Sequence, residues 1–488
     1  MKQVYQLIFN LGLSSGGKTS ALLSRSKYFN ENNLNSNIVT FDYNSDYDFV
    51  LEQLRESKRL DYKTKVYNQF SFFENRSLSM TESASNINKN IQDVIDDCVK
   101  IAVDKNKYAL ISLKNGEYRG NIKYNSQNKF VLDLFKNNYR VRRVYASNGL
   151  IKRIKEFDYN GILNGETFYN QNGQPFLRRS SKDGSVSDLY LIAEKKYFKN
   201  NIKLGEYFLE QLIEDTKNNI IISDGTGSIN KLVNNKQRNV QKYAVMHTNH
   251  KNSNGIIKEK EENILKNSHK LDGVIFLTQE QIDDVEKEYG ITNAHLIYNF
   301  ISNIPEHYGQ STNKIVGNIS RLVKGKGFDL LTDVAKKVKE IDPEITFHIY
   351  GEGDYKDEIL KMIDEKNLNS TVKLFGYTDN PYKTIKGFRS VISTSQSEAQ
   401  GLSMIEAMAN GVPVVAFDIK YGPSQFIKDE INGKLIENKN VNAMATAIIE
   451  LMNNDSKSIL FGEYARKEII ESFEPINIIN QWKNLFDK

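Results

Sequence analysis

Two glutamates, Glu398 and Glu406, stand eight positions apart in the segment Glu398-Ala399-Gln400-Gly401-Leu402-Ser403-Met404-Ile405-Glu406. They flank Gly401 at an expected loop-to-helix junction. Such a pair is common by chance, so its context has to give it meaning. The segment follows the apolar run Ser390–Thr394 and precedes the apolar run that begins at Pro413. That places it at the C-terminal end of a parallel strand, where open α/β sheets bind ligands. Amides at the start of helix Ser403–Asn410 would face a phosphate, with Glu406 about one turn further in. Upstream, Ile319-Ser320-Arg321-Leu322-Val323-Lys324-Gly325-Lys326-Gly327 sets Arg321 and Lys326 five apart after another strand. Each cation alone reads as solvated surface. Together with the glutamates they form a binding set that can grip one pyrophosphate from two sides.

A second motif points elsewhere. Gly12-Leu13-Ser14-Ser15-Gly16-Gly17-Lys18-Thr19 matches the P-loop pattern letter for letter, between an expected strand and helix. Taken literally it makes a nucleoside triphosphatase, with Lys18 on phosphates, Thr19 on Mg²⁺, and Asp42 or Asp224 as the further carboxylate. The same glycines also suit a plain anion-facing turn that needs neither lysine nor metal. On this motif alone the two readings stand level.

The elements that must position these residues fall into three groups. From residue 314, short apolar runs (Lys314–Ser320, Ile345–Tyr350, Val372–Tyr377, Ser390–Thr394, Pro413–Asp418, Lys434–Glu437) alternate with amphipathic stretches. That pattern gives βαβ units around a parallel sheet. The N-terminal part opens the same way, stops after Leu60, and resumes near Leu204. Between them, residues 105–197 alternate Tyr, Phe, Ile and Val with Lys and Arg. Six turn signals punctuate the stretch: Asn115-Gly116, Asn148-Gly149, Asn160-Gly161, Asn164-Gly165, Asn172-Gly173 and Asp183-Gly184. Such dipeptides favour tight hairpins, so an antiparallel β-meander inserted into the first α/β domain is expected. A helix over Ser83–Val103 should lead into it. The expected division is a first domain of residues 1–75 and 205–302, an insert of 76–204, and a second domain of 303–474. The closing helix, 475–488, would pack back on the first domain.

Composition bounds the rest. With 488 residues, 39% apolar and 26% charged, the chain can bury two or three cores, and disorder is excluded as its overall state. No run approaches the length of a spanning helix, and the N-terminus reads as a strand rather than a secretory signal. One cysteine, Cys98, makes no internal disulfide and favours a reducing cytoplasm. The net charge of +5 hides an uneven distribution. Residues 105–155 hold thirteen basic residues against two acidic, a net of +11, which leaves −6 for the other 437. A field that concentrated attracts polyanions. Lys136, Arg140, Arg142, Arg143, Lys152 and Arg153 are the candidate contacts.

The chain resembles retaining glycosyltransferases of the GT-B fold, family 4, and within them the bacterial wall teichoic acid α-glycosyltransferases. The segments that carry the resemblance are Asn318–Lys326, Phe347-His348-Ile349-Tyr350-Gly351-Glu352-Gly353, Ser393–Met408 and Val414–Ser424. It implies two Rossmann-like domains, with a UDP-sugar (UDP-glucose or UDP-N-acetylglucosamine) bound on the C-terminal one. Arg321 and Lys326 would neutralise the departing diphosphate, so that no metal or other cofactor is needed. Glu406 would hold the ribose and Glu398 the donor sugar. Gly401 and Leu402 would begin the donor-binding helix, and Gly16 and Gly17 would let the first domain close over the diphosphate. His247 would lie near donor sugar and acceptor, and Lys18 would have no part. The implied partner is an anionic polyol-phosphate polymer rather than nucleic acid, and the implied assembly is a homo-oligomer, a trimer, formed through the insert. Action in the cytoplasm at the inner membrane face is expected, as is the alternative of a protein or lipid acceptor. Phe130, Val131, Leu132 and Leu134 suit either an interface or a core.

Overall fold

The computed structural model describes residues 2–13, 16–79, 87–126, 129–252, 254–301, 304 and 306–488. Three sheets organise them. The first has seven parallel strands in the spatial order Ala294–Leu296, Gly273–Phe276, Gln241–Val245, Asn219–Asp224, Gln3–Ile8, Asn35–Thr40 and Lys65–Asn68. Strand Asn219–Asp224 is buried at every residue, as a strand covered by helices on both faces must be. The third sheet has six parallel strands in the order Val372–Gly376, Thr346–Tyr350, Ile315–Ile319, Ser390–Ser393, Val414–Phe417 and Gly433–Ile436. Both orders reverse at one point. In the first sheet it lies between Gln3–Ile8 and Asn219–Asp224, and in the third between Ile315–Ile319 and Ser390–Ser393. A crevice opens at the carboxyl ends of the strands at each such switch.

The second sheet is an antiparallel meander of ten strands in strict chain order, from Cys98–Asp104 to Lys196–Phe198. At Asn148-Gly149 and Asp183-Gly184 both residues have positive φ, as a type I′ turn requires. Asn137-Asn138 turns the same way without a glycine. Asn164-Gly165 is no turn, for it lies within strand Leu163–Tyr169. There a Cβ on Gly165 would come 2.9 Å from the Arg179 carbonyl oxygen, so glycine serves close strand approach rather than a reversal. Of the helix expected over 83–103, the described residues hold Ile87–Asp96. Residues 83–86 lie outside the described ones, and Cys98–Asp104 is the first strand of the meander. Val99, Ile101 and Val103 alternate with period two and are β-branched, which favours a strand over a helix.

Leu132 is fully buried in a small core with Ile91, Ile95, Leu110 and Val144, and Phe130 and Leu134 pack against it. These three therefore belong to the core of the insert rather than to an interface. The closing helix, Pro475–Phe486, packs on the first sheet: Trp482 meets Phe29 edge to face at 5.7 Å, and Tyr243 donates its hydroxyl to the Leu485 carbonyl at 3.1 Å. Among the described residues no helix is long and apolar enough to cross a membrane.

Candidate active site

The donor-side set assembles at the switch point of the third sheet. After strand Ile315–Ile319 the chain passes Arg321 and makes a short 3-10 turn, Lys324–Lys326, that ends on Gly327 at φ +68°. A Cβ on Gly327 would sit 2.0 Å from the Thr394 carbonyl oxygen, so only glycine allows this turn to lie on the end of strand Ser390–Ser393. That contact brings Lys326 to Glu398, whose Oε1 accepts from the Lys326 ammonium and, at 2.7 Å, from the Ser395 hydroxyl. The Glu398 backbone is fixed as well, since Tyr421 donates its N–H to the Glu398 carbonyl at 2.8 Å. Gly401, left-handed at φ +76°, caps helix Leu402–Ala409. Glu406 lies within that helix and takes no side-chain hydrogen bond from any described residue. Burial pushes its pKa up to about 7. An unpartnered carboxyl of this kind is ready for hydroxyl donors that only a ligand can bring.

The opposite wall is the switch point of the first sheet. Gly16 and Gly17 begin helix Gly17–Glu31, and a Cβ on each would stand 3.2 Å from Arg321 Cδ and from Leu402 Cδ1 respectively. Neither glycine has positive φ. What they supply is room for the two domains to meet. Arg321 is exposed there, and its guanidinium has no hydrogen-bond or ion-pair partner among the described residues.

His247 follows strand Gln241–Val245, and its side chain is buried. Its Nε2 lies 2.7 Å from Asp224 Oδ1, while Asp224 Oδ2 accepts from the Arg25 guanidinium. Asp224 is fully buried. Burial alone would raise its pKa, but Arg25 and His247 together hold it below the usual carboxylate range. An ionised Asp224 only accepts, so it fixes the proton on His247 Nε2 and leaves Nδ1 as an acceptor. Burial, helped by the charges of Arg25 and Lys18, outweighs the Asp224 bond and keeps the His247 pKa below its ordinary value. The ring is therefore neutral at pH 7. Arg25 is held in turn by Gln6 Oε1 at 2.6 Å and lies 5.3 Å from the Trp482 ring. Sequence reading missed this Arg25–Asp224–His247 chain. It offered Asp224 only as a carboxylate for Mg²⁺, whereas its two oxygens are taken by Arg25 and His247.

The six basic candidates of the insert do not form one open patch. Arg143 makes two 2.7 Å bonds to Asp133, Arg142 pairs with Glu156 at 3.1 Å, and Lys152 lies 3.6 Å from Glu74. Arg140 stacks on Phe157 at 4.2 Å. Arg153 lies over Tyr145 at 4.8 Å and 3.6 Å from Glu166, a buried carboxylate that Lys155 and Arg179 share. Lys136 is exposed and has no such partner among the described residues. Most acidic partners (Glu74, Glu156, Glu166) fall outside residues 105–155, so the charge window counted the cations without them.

Comparison with known proteins follows the same geometry. Residues 300–468, which include every donor-side residue above, match the family model described as glycosyl transferases group 1. Over 495 aligned residues, covering all of both chains, the sequence is 41% identical to the poly(ribitol-phosphate) α-N-acetylglucosaminyltransferase of Staphylococcus aureus strain COL. The chain belongs to the poly(polyol-phosphate) α-glycosyltransferases. A second member, the poly(glycerol-phosphate) α-glucosyltransferase of Bacillus subtilis strain 168, is 29% identical over 96% of this chain and 72% of its own length. A solved structure of this family, a point mutant of S. aureus TarM with fondaparinux, α-GlcNAc-glycerol and UDP, superposes with a TM-score of 0.95 over the whole of both chains at 41% identity. The pneumococcal O-GlcNAc transferase GtfA, at 18% identity and a TM-score of 0.75, shares the GT-B fold.

Proposed function

We propose that this chain is a UDP-sugar-dependent α-glycosyltransferase that moves glucose or N-acetylglucosamine onto hydroxyls of a poly(polyol phosphate) wall teichoic acid, with retention at the anomeric carbon. The observation that carries this reading is the meeting of two switch points. Arg321, Lys326, Glu398 and Glu406 lie on one wall, and Gly16, Gly17 and His247 on the other, in a chain 41% identical end to end to a poly(ribitol-phosphate) transferase.

In this reading Arg321, Lys326 and the first amides of helix Leu402–Ala409 receive the diphosphate and stabilise its growing charge as UDP leaves. No metal is required for that role. Glu406 accepts the ribose hydroxyls. Glu398, paired with Lys326 before the donor arrives, turns to the sugar hydroxyls and to the positive character at the anomeric carbon. His247 Nδ1 accepts from a hydroxyl of donor sugar or acceptor. The acceptor oxygen attacks from the face that the phosphate leaves, and the leaving phosphate takes its proton.

In the same proposal the reaction runs in the cytoplasm, at the inner membrane face, and the enzyme works as a homo-oligomer, a trimer, joined through the insert. Strand Cys98–Asp104 is the edge of the ten-stranded sheet, and Val99, Ile101 and Val103 on it are 47%, 52% and 59% exposed. An apolar edge with unpaired backbone groups favours association with another copy. The functional test is UDP release with UDP-glucose and UDP-N-acetylglucosamine, each against poly(ribitol phosphate) and poly(glycerol phosphate). Release that depends on one polymer supports the reading and names donor and backbone. Release indifferent to both polymers refutes it.

A further inference from the structure

The lysine of the P-loop-like motif remains unexplained by the transferase reading. Lys18 stands in the first turn of helix Gly17–Glu31, directly after the two glycines that touch Arg321 and Leu402 across the cleft. Its side chain runs toward the other loop of the same switch point. A Cβ on Gly225 would lie 3.5 Å from Lys18 Cδ and 3.6 Å from its Nζ. Gly225 directly follows Asp224, which holds His247, and the charge of Lys18 is felt at that ring.

The surroundings leave this ammonium without a counter-ion. Asp224 is already committed on both oxygens, to Arg25 and His247. Lys18 is exposed, and its ammonium makes no hydrogen bond or ion pair with any described residue. A solvated surface lysine is the ordinary alternative, but this one follows the glycine pair that Arg321 approaches, and its side chain lies against Gly225, next to the Asp224 that holds His247. Cations held together in a cleft without anions repel one another unless a ligand supplies the charge.

We propose that Lys18 binds a phosphate oxygen inside the cleft. The inference rests on the transferase reading above. Two phosphates could meet it: the diphosphate of the donor, or the phosphodiester next to the reacting hydroxyl of the acceptor. The acceptor is the better match. The diphosphate has Arg321, Lys326 and a helix start on the C-terminal wall, whereas Lys18 projects from the N-terminal wall beside His247.

The test compares the parent chain with Lys18→Met and Lys18→Arg. Each is assayed for transfer to glycerol-phosphate oligomers and to phosphate-free glycerol, and for UDP binding by calorimetry. Loss of one hydrogen bond from a charged donor predicts a fall of roughly tenfold to a hundredfold in kcat/KM for Lys18→Met, with most of it restored in Lys18→Arg. If the acceptor supplies the phosphate, the fall appears in the preference for phosphate-bearing over phosphate-free acceptor while the UDP Kd holds. If the donor supplies it, the UDP Kd rises by the same factor and the preference holds. An active parent whose Lys18→Met variant matches it in both measurements overturns this inference alone. A parent that transfers no sugar overturns the transferase reading and this inference with it.

Discussion

Replacing Asp224 by Asn tests the buried chain that positions His247. Asp224 and Arg25 are both essentially sealed from water, and the carboxylate holds Arg25 on one oxygen and His247 on the other. The amide is nearly isosteric, so packing is preserved and only the charge is lost. Breaking a buried pair while leaving the other ion in place costs about 3–5 kcal/mol. Loss of the charge-assisted bond to His247 should also lower kcat by about tenfold to a hundredfold, since one such bond is worth about 1.5–3 kcal/mol. Trp482, the single tryptophan, lies over Arg25 and reports on the same region. Urea unfolding followed by its fluorescence should show the transition moved to lower urea by that free energy, while UDP binding on the C-terminal domain persists. The pH sign follows. The Asp224 pKa is held down in the folded chain, so its stabilisation is present above the ordinary carboxylate value of 3.8 and fades as pH falls through the lower folded one. A variant within about 0.5 kcal/mol of the parent, with unchanged kcat, would refute the reasoning.

Other consequences are as specific. Glu398→Gln and Lys326→Ala should each lower transfer by about a hundredfold or more, because each strands its partner in the cleft as well as removing a donor contact. UDP affinity should weaken as pH falls below about 7, the value to which burial raises Glu406, because ribose hydroxyls donate best to the ionised form. Calorimetry at pH 6 in buffers of different ionisation enthalpy should then show proton release on binding, and Glu406→Gln should abolish it. Lys136→Glu should weaken long polymers more than short acceptors and flatten the salt dependence of KM, whereas Arg143→Glu should chiefly destabilise the insert through Asp133. Equal losses on long and short acceptors would count against a polymer track on the insert. Ile101→Lys, on the exposed edge strand, should shift the elution mass toward a single chain.

What could be read from sequence was local. Glu398, Gly401 and Glu406 occupy one loop-to-helix junction, and Arg321 and Lys326 one turn, so spacing along the chain already carried their geometry. The alternating strands and helices around them gave the parallel sheet that sets both groups at one crevice. Long-range pairings were hidden. Arg25 and Asp224 are 199 positions apart, and nothing in either segment marks the other as its partner. Charge misled for the same reason, because Arg153 and Lys155 share Glu166, which enters on the next strand. Asn164-Gly165 shows the limit of turn chemistry: a glycine needed for close approach to a neighbouring strand looks the same as one needed for positive φ. Strand Cys98–Asp104 is hidden behind a helix that ends at Asp96, since no glycine or proline separates the two.

The central claim is transfer of a sugar from UDP to a polyol-phosphate polymer with retained anomeric configuration and without a metal. It is tested most directly by proton NMR of the polymer after incubation with the enzyme and UDP-glucose or UDP-N-acetylglucosamine in EDTA, with UDP release followed in parallel. The account predicts an α-anomeric signal on the polymer that grows in step with UDP and disappears with Glu398→Gln. A β-anomeric product, or UDP release with no sugar on the polymer, would contradict it.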